Sequence, residues 1–425
     1  MDFRALPSGP RITLRNLTVP ACLIGQAGDL VTTDLTIADG VIASEPETAG
    51  IDMAGAMALP SFVDMHTHLD KGHIWARAPN PDGTFLGALT TVERDRTANW
   101  AAEDVRRRMD FSLRCAFAHG TRAVRTHLDS IAPQDDISWP VFAEVRDDWA
   151  SRVDLQAACL ASCESVEPDG SGNFAHTADL VARYGGVLGM VTYPVPDLDD
   201  RLRCFFGLAE ERGLEVDFHV DETMDPASAT LRQIASVANE VGFERPITVG
   251  HCCSLATQAA DEADRTLDLV ADVGINVVSL PMCNLYLQDR HADRTPRRRG
   301  ITLVHEMRDR GINVAFASDN TRDPFYAYGD LDMLEVMREA TRIGHLDHSR
   351  SDWVTAFSHA PAKACAFAEQ DLSPGAPADL VIFRARSWTE LFARPQFDRI
   401  VLRGGRTIAR DLPDYAELDD LMELS

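Results

Sequence analysis

The chain has 425 residues, 45% of them hydrophobic, with 41 Lys and Arg against 66 Asp and Glu, so its formal charge is 41 − 66 = −25. That length and apolar content suit one large α/β barrel with an added piece, or two to three domains, and exclude disordered, collagen-like and coiled-coil chains. The acid excess repels phosphate backbones and anionic lipid, which argues against nucleic acid or a membrane surface as partner and marks a solvated exterior.

The opening stretch MDFRALPSGPRITL has no basic segment leading into an apolar one, and no part of the chain approaches roughly 18 uninterrupted apolar residues. Nine cysteines, an odd number with Cys252 and Cys253 adjacent and no repeated CxxC, read as reduced thiols. A cytoplasmic protein is expected. Residues 10–57 then give short strands, ITLRNLTVP and LTIADGVIAS, the second broken by an Ala-Asp-Gly suited to a hairpin. From residue 58 onward apolar runs alternate with helical patterns: ALPSFVDMH (58–66), RAVRTHLD (122–129), DLQAACL (154–160), GVLGMVTY (186–193), EVDFHVDE (215–222), PITVGHC (246–252), GINVVSLP (274–281) and GINVAFASD (311–319). Eight strands at intervals of about 30 residues predict a (β/α)8 TIM-type barrel over 58–370, and the long first interval predicts a lid-like loop over its mouth. A doubly wound open sheet is the alternative, disfavoured because no Gly-rich phosphate turn follows the first strand. At the far end PGAPADLVIFRA and FDRIVLRGGRTIAR return to short strands, with a tight turn at Gly404-Gly405. Residues 1–57 and 371–425 are therefore expected to pair into one small flanking β-sandwich domain.

Barrel enzymes place reactive groups at the C-terminal ends of their strands, so the residues closing each run are the candidates. His66 and His68 close the first strand and, two residues apart, face the same side. His219 closes the fifth strand, with Glu222 three residues on; His251 closes the sixth and Asp319 the eighth. Three imidazoles and a carboxylate suit one Zn2+ or Fe2+ with a position open for water, whose pKa falls toward about 7 on binding. Binuclear sites of this general type use a lysine at the end of strand four. The chain has only two lysines, Lys71 in the first loop and Lys363 beyond the eighth strand, and strand four ends GMVTYPVP. A mononuclear site is expected. Glu222 reads as the general acid and base that carries a proton to substrate nitrogen. His251 reads as a group polarising the water or leaving group, with metal ligation left open; Asp221 reads as structural, and His127 and Asp129 as supporting or structural residues.

His-Thr-His-Leu-Asp-Lys after FVDM, then RTHLD, DFHVDE, GHCCS and ASDNTRDPFYAYGDLDML in that order, together resemble the amidohydrolase superfamily, and specifically its cytosine deaminase branch. The loop NLYLQDRHADRTPRRRGIT adds to the likeness, which spans about residues 58–370. The resemblance implies a hydrolytic deaminase with one divalent metal: His66, His68, His219 and Asp319 as ligands, Glu222 protonating the ring nitrogen, His251 assisting attack, and Asp319 accepting the proton of water. It also makes Phe325 a wall for a flat heterocycle and Gln288 a substrate contact. Two positions depart from cytosine deaminases: Asn320 stands where a second Asp is usual, and Ser162 or Glu164 stands near the strand-three end in place of a Gln. HTHLDK with SDNTRD is closer to triazine deaminases of the N-isopropylammelide amidohydrolase type, which lack the glutamate of His-Val-Asp-Glu. The expected substrate is thus an aminated nitrogen heterocycle, a cytosine-like pyrimidine, a pterin or an aminotriazine, consumed with water. A cyclic amidase of the dihydroorotase or hydantoinase kind and a silent heterocycle-binding barrel are the alternatives. A homo-oligomer is left open.

Overall fold

The computed structural model describes residues 6, 9, 11–45 and 49–423. Residues 1–5, 7, 8, 10, 46–48, 424 and 425, which take in part of the opening stretch and of both end segments expected to form the β-region, lie outside the described residues. The fold is α/β. Eight parallel strands run through its centre: Phe62–Thr67, Thr121–Asp129, Asp154–Leu160, Leu188–Thr192, Val216–Val220, Ile247–His251, Asn276–Ser279 and Val314–Phe316. Continuous ladders join the first three and the last five. Bridges at Ala158 with Val187 and Ser162 with Val191 tie the third to the fourth, and a bridge at Thr67 with Asp319 ties the first strand to the chain leaving the eighth. Strand order thus follows sequence order around a closed ring, which excludes the doubly wound arrangement.

The ring strands are buried along nearly their whole length, as parallel strands covered by helices must be. The helix Thr230–Val241 shows why: Leu231, Ile234, Ala235 and Ala238 recur at helical spacing and form its buried stripe. Each fully buried Leu or Ile contributes about 1.5–3 kcal/mol. A cluster of Phe205, Phe206 and Phe218 joins the preceding helix, Leu198–Arg212, to the fifth strand, with ring centroids 5.0–6.0 Å apart.

The run expected as one first strand over 58–66 is two. Met57–Pro60 pairs antiparallel with Leu380–Phe383 in an outer sheet, whereas Phe62–Thr67 pairs with Thr121–Asp129 in the ring. The switch falls between neighbours: the Ser61 N–H donates to the Asp379 carbonyl and the Phe62 N–H to the Gly120 carbonyl. Strands from both chain ends make up the outer sheet, in the order Arg406–Thr407, Ile400–Arg403, Leu380–Phe383, Met57–Pro60, Arg11–Pro20, Leu30–Ala38 and Val41–Ile42, with Ile51–Asp52 also on Arg11–Pro20. Asp39-Gly40 and Gly404-Gly405 turn its two tight hairpins with positive φ at both positions, 51° and 83° in one and 52° and 72° in the other, as such two-residue turns require.

The long first connection carries two helices, Phe85–Asn99 and Ala102–His119. The Thr84 hydroxyl caps the first by accepting from the Gly87 N–H at 3.0 Å. All nine cysteines are free thiols, and all but Cys22 and Cys204 are buried. Among the described residues no helix is long and apolar enough to cross a membrane.

Candidate active site

His66, His68, His219 and Asp319 converge inside the ring at the C-terminal ends of strands one, five and eight. His66 Nε2 lies 3.1 Å from His219 Nε2, which lies 3.4 Å from His68 Nε2. Asp319 Oδ1 lies 3.2 Å from His68 Nε2 and 3.7 Å from His66 Nε2. Four donors about 2.1 Å from one ion stand roughly 3.4 Å apart when tetrahedral, so the observed spacing already fits a single divalent cation. The set is also costly without one. Both Asp319 carboxylate oxygens and the Nδ1 atoms of His66, His68 and His219 are buried and accept from or donate to no N–H, O–H or oxygen among the described residues. Burial, then the neighbouring imidazoles and Lys71, hold the three histidines well below their ordinary value, which keeps them neutral and able to ligate. Burial pushes Asp319 up to about 7; a cation beside it would act in the opposite direction.

Asp319 and His251 have left-handed backbones, φ 64° and 68°, a conformation that costs a non-glycine residue about 1–2 kcal/mol and that sends these side chains out of the strand alternation into the ring. The Asn284 amide nitrogen donates to His251 Nδ1 at 3.0 Å and reaches Glu222 Oε1 at 3.4 Å. With Nδ1 accepting, the His251 proton resides on Nε2, which has no partner among the described residues. Burial brings His251 down to about 3, so it is a neutral donor at physiological pH. Glu222 Oε1 stands 3.5 Å from His251 Nδ1. Burial and the charge of Asp319 raise Glu222 well above the usual carboxylate range, with Lys71 opposing, and the carboxyl therefore holds a proton it can deliver.

A cavity of 210 Å³ opens here, and it is lined by His68, His219, Glu222, His251 and Asp319 along with three of the four residues expected to contact substrate, Ser162, Asn320 and Phe325. Ser162 Oγ meets the Tyr193 hydroxyl at 2.6 Å, and Tyr193 donates to Glu164 at 2.7 Å, so both strand-three candidates share one network. Asn320 donates to Asp323 at 2.7 Å. Gln288 differs from expectation. It lies outside the cavity lining, because its amide nitrogen turns back to donate to the Glu222 carbonyl at 3.1 Å and so fixes the backbone that carries the glutamate.

Sequence reasoning gave too little weight to the first connection. Lys71 is buried in the cavity wall, its Nζ 2.6 Å from Asp129 Oδ1 and 5.6 Å from the Phe325 ring centroid. The other Asp129 oxygen accepts from Arg96 at 2.9 Å, and the Asp129 N–H donates to Asp70 at 2.7 Å. Arg96 and the apolar Phe85, Leu89 and Val92 come from the helix Phe85–Asn99, which covers the mouth. Helical spacing at 85, 89, 92 and 96 was the available signal. His127 packs against the ligand candidates: its ring centroid is 4.0 Å from that of His66, its donor atom lies within 4.8 Å of those of His66, His68 and His219, and Nε2 is 3.2 Å from Asp217. Asp221 is structural as expected, its carboxylate accepting from Ser228, from the N–H and hydroxyl of Thr230 and from the Leu231 N–H at 2.7–3.0 Å.

Residues 170–409 match the amidohydrolase family profile. The chain is 50% identical to a pterin deaminase of Rhizobium rhizogenes over 99% of both chains, and 23% identical to an N-isopropylammelide isopropyl amidohydrolase of Pseudomonas over 91% of this chain and 93% of that one. Its structure resembles that of a 5-methylcytosine deaminase from Klebsiella pneumoniae with bound 5-fluorocytosine, with a TM-score of 0.77, 27% identity and coverage of 95% and 98%. The sequence likeness, the ring architecture and the convergent histidines agree, and the chain belongs to the amidohydrolase family.

Proposed function

We propose that the protein is a mononuclear, metal-dependent hydrolytic deaminase that releases ammonia from the aminopyrimidine ring of a pterin-type heterocycle. The observation that carries this reading is the Glu222 carboxyl, pushed well above the usual carboxylate range by burial and Asp319, held beside three buried imidazoles and Asp319 in one cavity. The 50% identity to a pterin deaminase supports the pterin class over cytosine and the aminotriazines. A Zn2+ or Fe2+ ion held by His66, His68, His219 and Asp319 would supply an ionised water near neutral pH.

The side chains divide the remaining work. Phe325 and the apolar helix face form walls for a flat ring, and Ser162 and Asn320 offer polar contacts at its edges. Asp319 takes a proton as water adds to the carbon bearing the amino group. Glu222 delivers its proton to the adjacent ring nitrogen, and the Nε2–H of His251 hydrogen-bonds the incoming oxygen. The tetrahedral carbon then collapses: the leaving amine takes the proton held by Asp319 and departs as ammonia, and the proton of the added hydroxyl passes to Glu222 as the carbonyl forms, which restores the acid. Among the described residues the catalytic barrel starts at Phe62, after Met57–Pro60 has paired into the single outer sheet built from both chain ends, in a cytoplasmic enzyme without nucleic-acid or membrane partners. Ammonia release from pterin, cytosine, isocytosine and an aminotriazine by metal-loaded protein tests the reading, with the highest kcat/KM expected for pterin. Ring opening of cyclic amides with no ammonia from any of the four would refute it.

A further inference from the structure

Cys283 has no part in the reaction just derived, yet its thiol lies in the helix Pro281–Leu287 against the reacting groups. The donor atoms of Glu222, Cys283 and Asp319 all lie within 4.8 Å of one another. Cys283 Sγ is fully buried, 3.7 Å from Asn320 Oδ1 and 3.9 Å from the Phe325 carbonyl. A second observation bears on the same corner. Both Asp319 oxygens are buried and accept from no N–H or O–H among the described residues; Oδ1 faces His66 and His68, and the Cys283 thiol is the hydrogen-bonding group that the carboxylate meets. One carboxylate can therefore serve the three imidazoles through Oδ1 and still offer Oδ2 elsewhere. Glu222 and Asp319 line the cavity, so an ion entering from the mouth meets both.

We propose that Glu222, Cys283 and Asp319 form a second, weaker cation site for borderline and soft divalent ions such as Zn2+ and Cd2+, and that filling it inhibits the enzyme. The donor chemistry differs from that of the first site. Imidazoles and carboxylate suit Zn2+ or Fe2+, whereas a thiolate with carboxylates favours thiophilic ions and discriminates against Mg2+ and Ca2+. Binding displaces the thiol proton to solvent and forms one metal–sulfur bond, with no change of oxidation state. Inhibition follows because the ion takes Glu222 from its proton-carrying role, a consequence that rests on the function proposed above; occupancy itself does not.

Protein loaded with one equivalent of Zn2+ is titrated with CdCl2 while cadmium bound per chain, ultraviolet thiolate-to-cadmium charge transfer and ammonia release are followed. The first site has no sulfur, so the charge-transfer band reports only cysteine ligation. The expected result is one further cadmium per chain, a band saturating with it, and a rate lowered roughly 10²-fold or more, as loss of a general acid does. Cys283→Ser, and Cys283→Ala if the serine variant folds poorly, should keep the cadmium-free rate within about twofold and lose both the band and the inhibition. A band of equal size in these variants, which retain Cys252 and Cys253, would overturn the proposal, as would the absence of a second equivalent. Cadmium binding that depends on Cys283 in protein that deaminates nothing would uphold the site and refute the function.

Discussion

Gly250 gives the sharpest test of how closely the ring holds the first site. It pairs with His219 in the fifth strand and Val278 in the seventh, and a Cβ built on it meets His66 Cε1 at 2.9 Å and Nδ1 at 3.2 Å. Ordinary contact begins at 3.4 Å, so Gly250→Ala requires the His66 ring to move by at least 3.4 − 2.9 = 0.5 Å. No room is left for that movement. His66 is fully buried, with the His127 ring centroid at 4.0 Å and that of His219 at 4.5 Å. Metal–ligand distances tolerate about 0.2 Å, so the displaced imidazole holds an ion poorly. Disturbing the support of a metal-binding histidine costs about 10–100-fold in affinity, or ~1.4–2.7 kcal/mol. Gly250 is not among the glycines with positive φ, so alanine fits its backbone and the fold is retained. Zn2+ affinity is measured by competition with a chromophoric chelator, alongside circular dichroism. A folded variant that binds Zn2+ within about twofold of the parent would refute the argument that this glycine exists to seat His66.

Glu222→Gln keeps the shape of the side chain and removes the transferable proton, so kcat should fall by about 10²–10⁴-fold while bound metal stays at one per chain; an unchanged rate would strip Glu222 of its role. Lys71→Met leaves the buried Asp129 with Arg96 and Asp70 with Arg108 as remaining cations, and breaking such a pair destabilises by about 3–5 kcal/mol; a denaturation midpoint matching the parent would show the pair to be dispensable. The stripped protein carries buried acids raised above their unfolded values, Asp319 to about 7 and Asp64 and Asp323 to about 6. A raised acid contributes stability that is complete below its unfolded pKa and lost as pH rises through its folded one. The Tm gain from adding metal should therefore widen between about pH 4.5 and about pH 7, as ionising Asp319 gains its partner, and a gain that shrinks over that range would contradict the assignment of Asp319 as a ligand.

Legibility in the sequence followed the range of the forces involved. Strand periodicity and residue types at strand ends are local, so all eight ring strands and the approach of His66, His68, His219, Glu222, His251 and Asp319 could be read directly. The break at Ser61 could not, because it depends on two distant partners that pull in different directions: the Asp379 carbonyl holds Ser61 in the outer sheet and the Gly120 carbonyl holds Phe62 in the barrel. The lid was expected from the length of the first connection, but its helix Phe85–Asn99 and the face it turns to the cavity were not read, for a related reason. Its apolar positions have the same spacing whether they face a core or a cavity. Gln288 was expected to face substrate, but its amide, one methylene longer than that of Asn284, turns back to the Glu222 carbonyl, and no pattern in the chain reports that choice. Asn284, which sets the His251 tautomer, had no signal beyond membership of the same segment.

The two lysines have a meaning that counting alone does not reveal. At the strand-four end, where a bridging lysine would be required, Thr192 instead engages the Thr230 hydroxyl at 2.9 Å and the His219 carbonyl at 3.3 Å, which locks the backbone behind a ligand and offers no charge to a second ion. Lys71 sits on the other wall with Arg96, and the two share Asp129. Lys71 opposes the rise of Glu222, so it limits how firmly that residue keeps its proton and leaves it able to give the proton up. The same charge repels any cation approaching along the Lys71 wall. An ion held at the proposed Glu222, Cys283 and Asp319 corner would bind against that charge, which also reaches Glu222 and Asp319, and would compete directly with proton transfer.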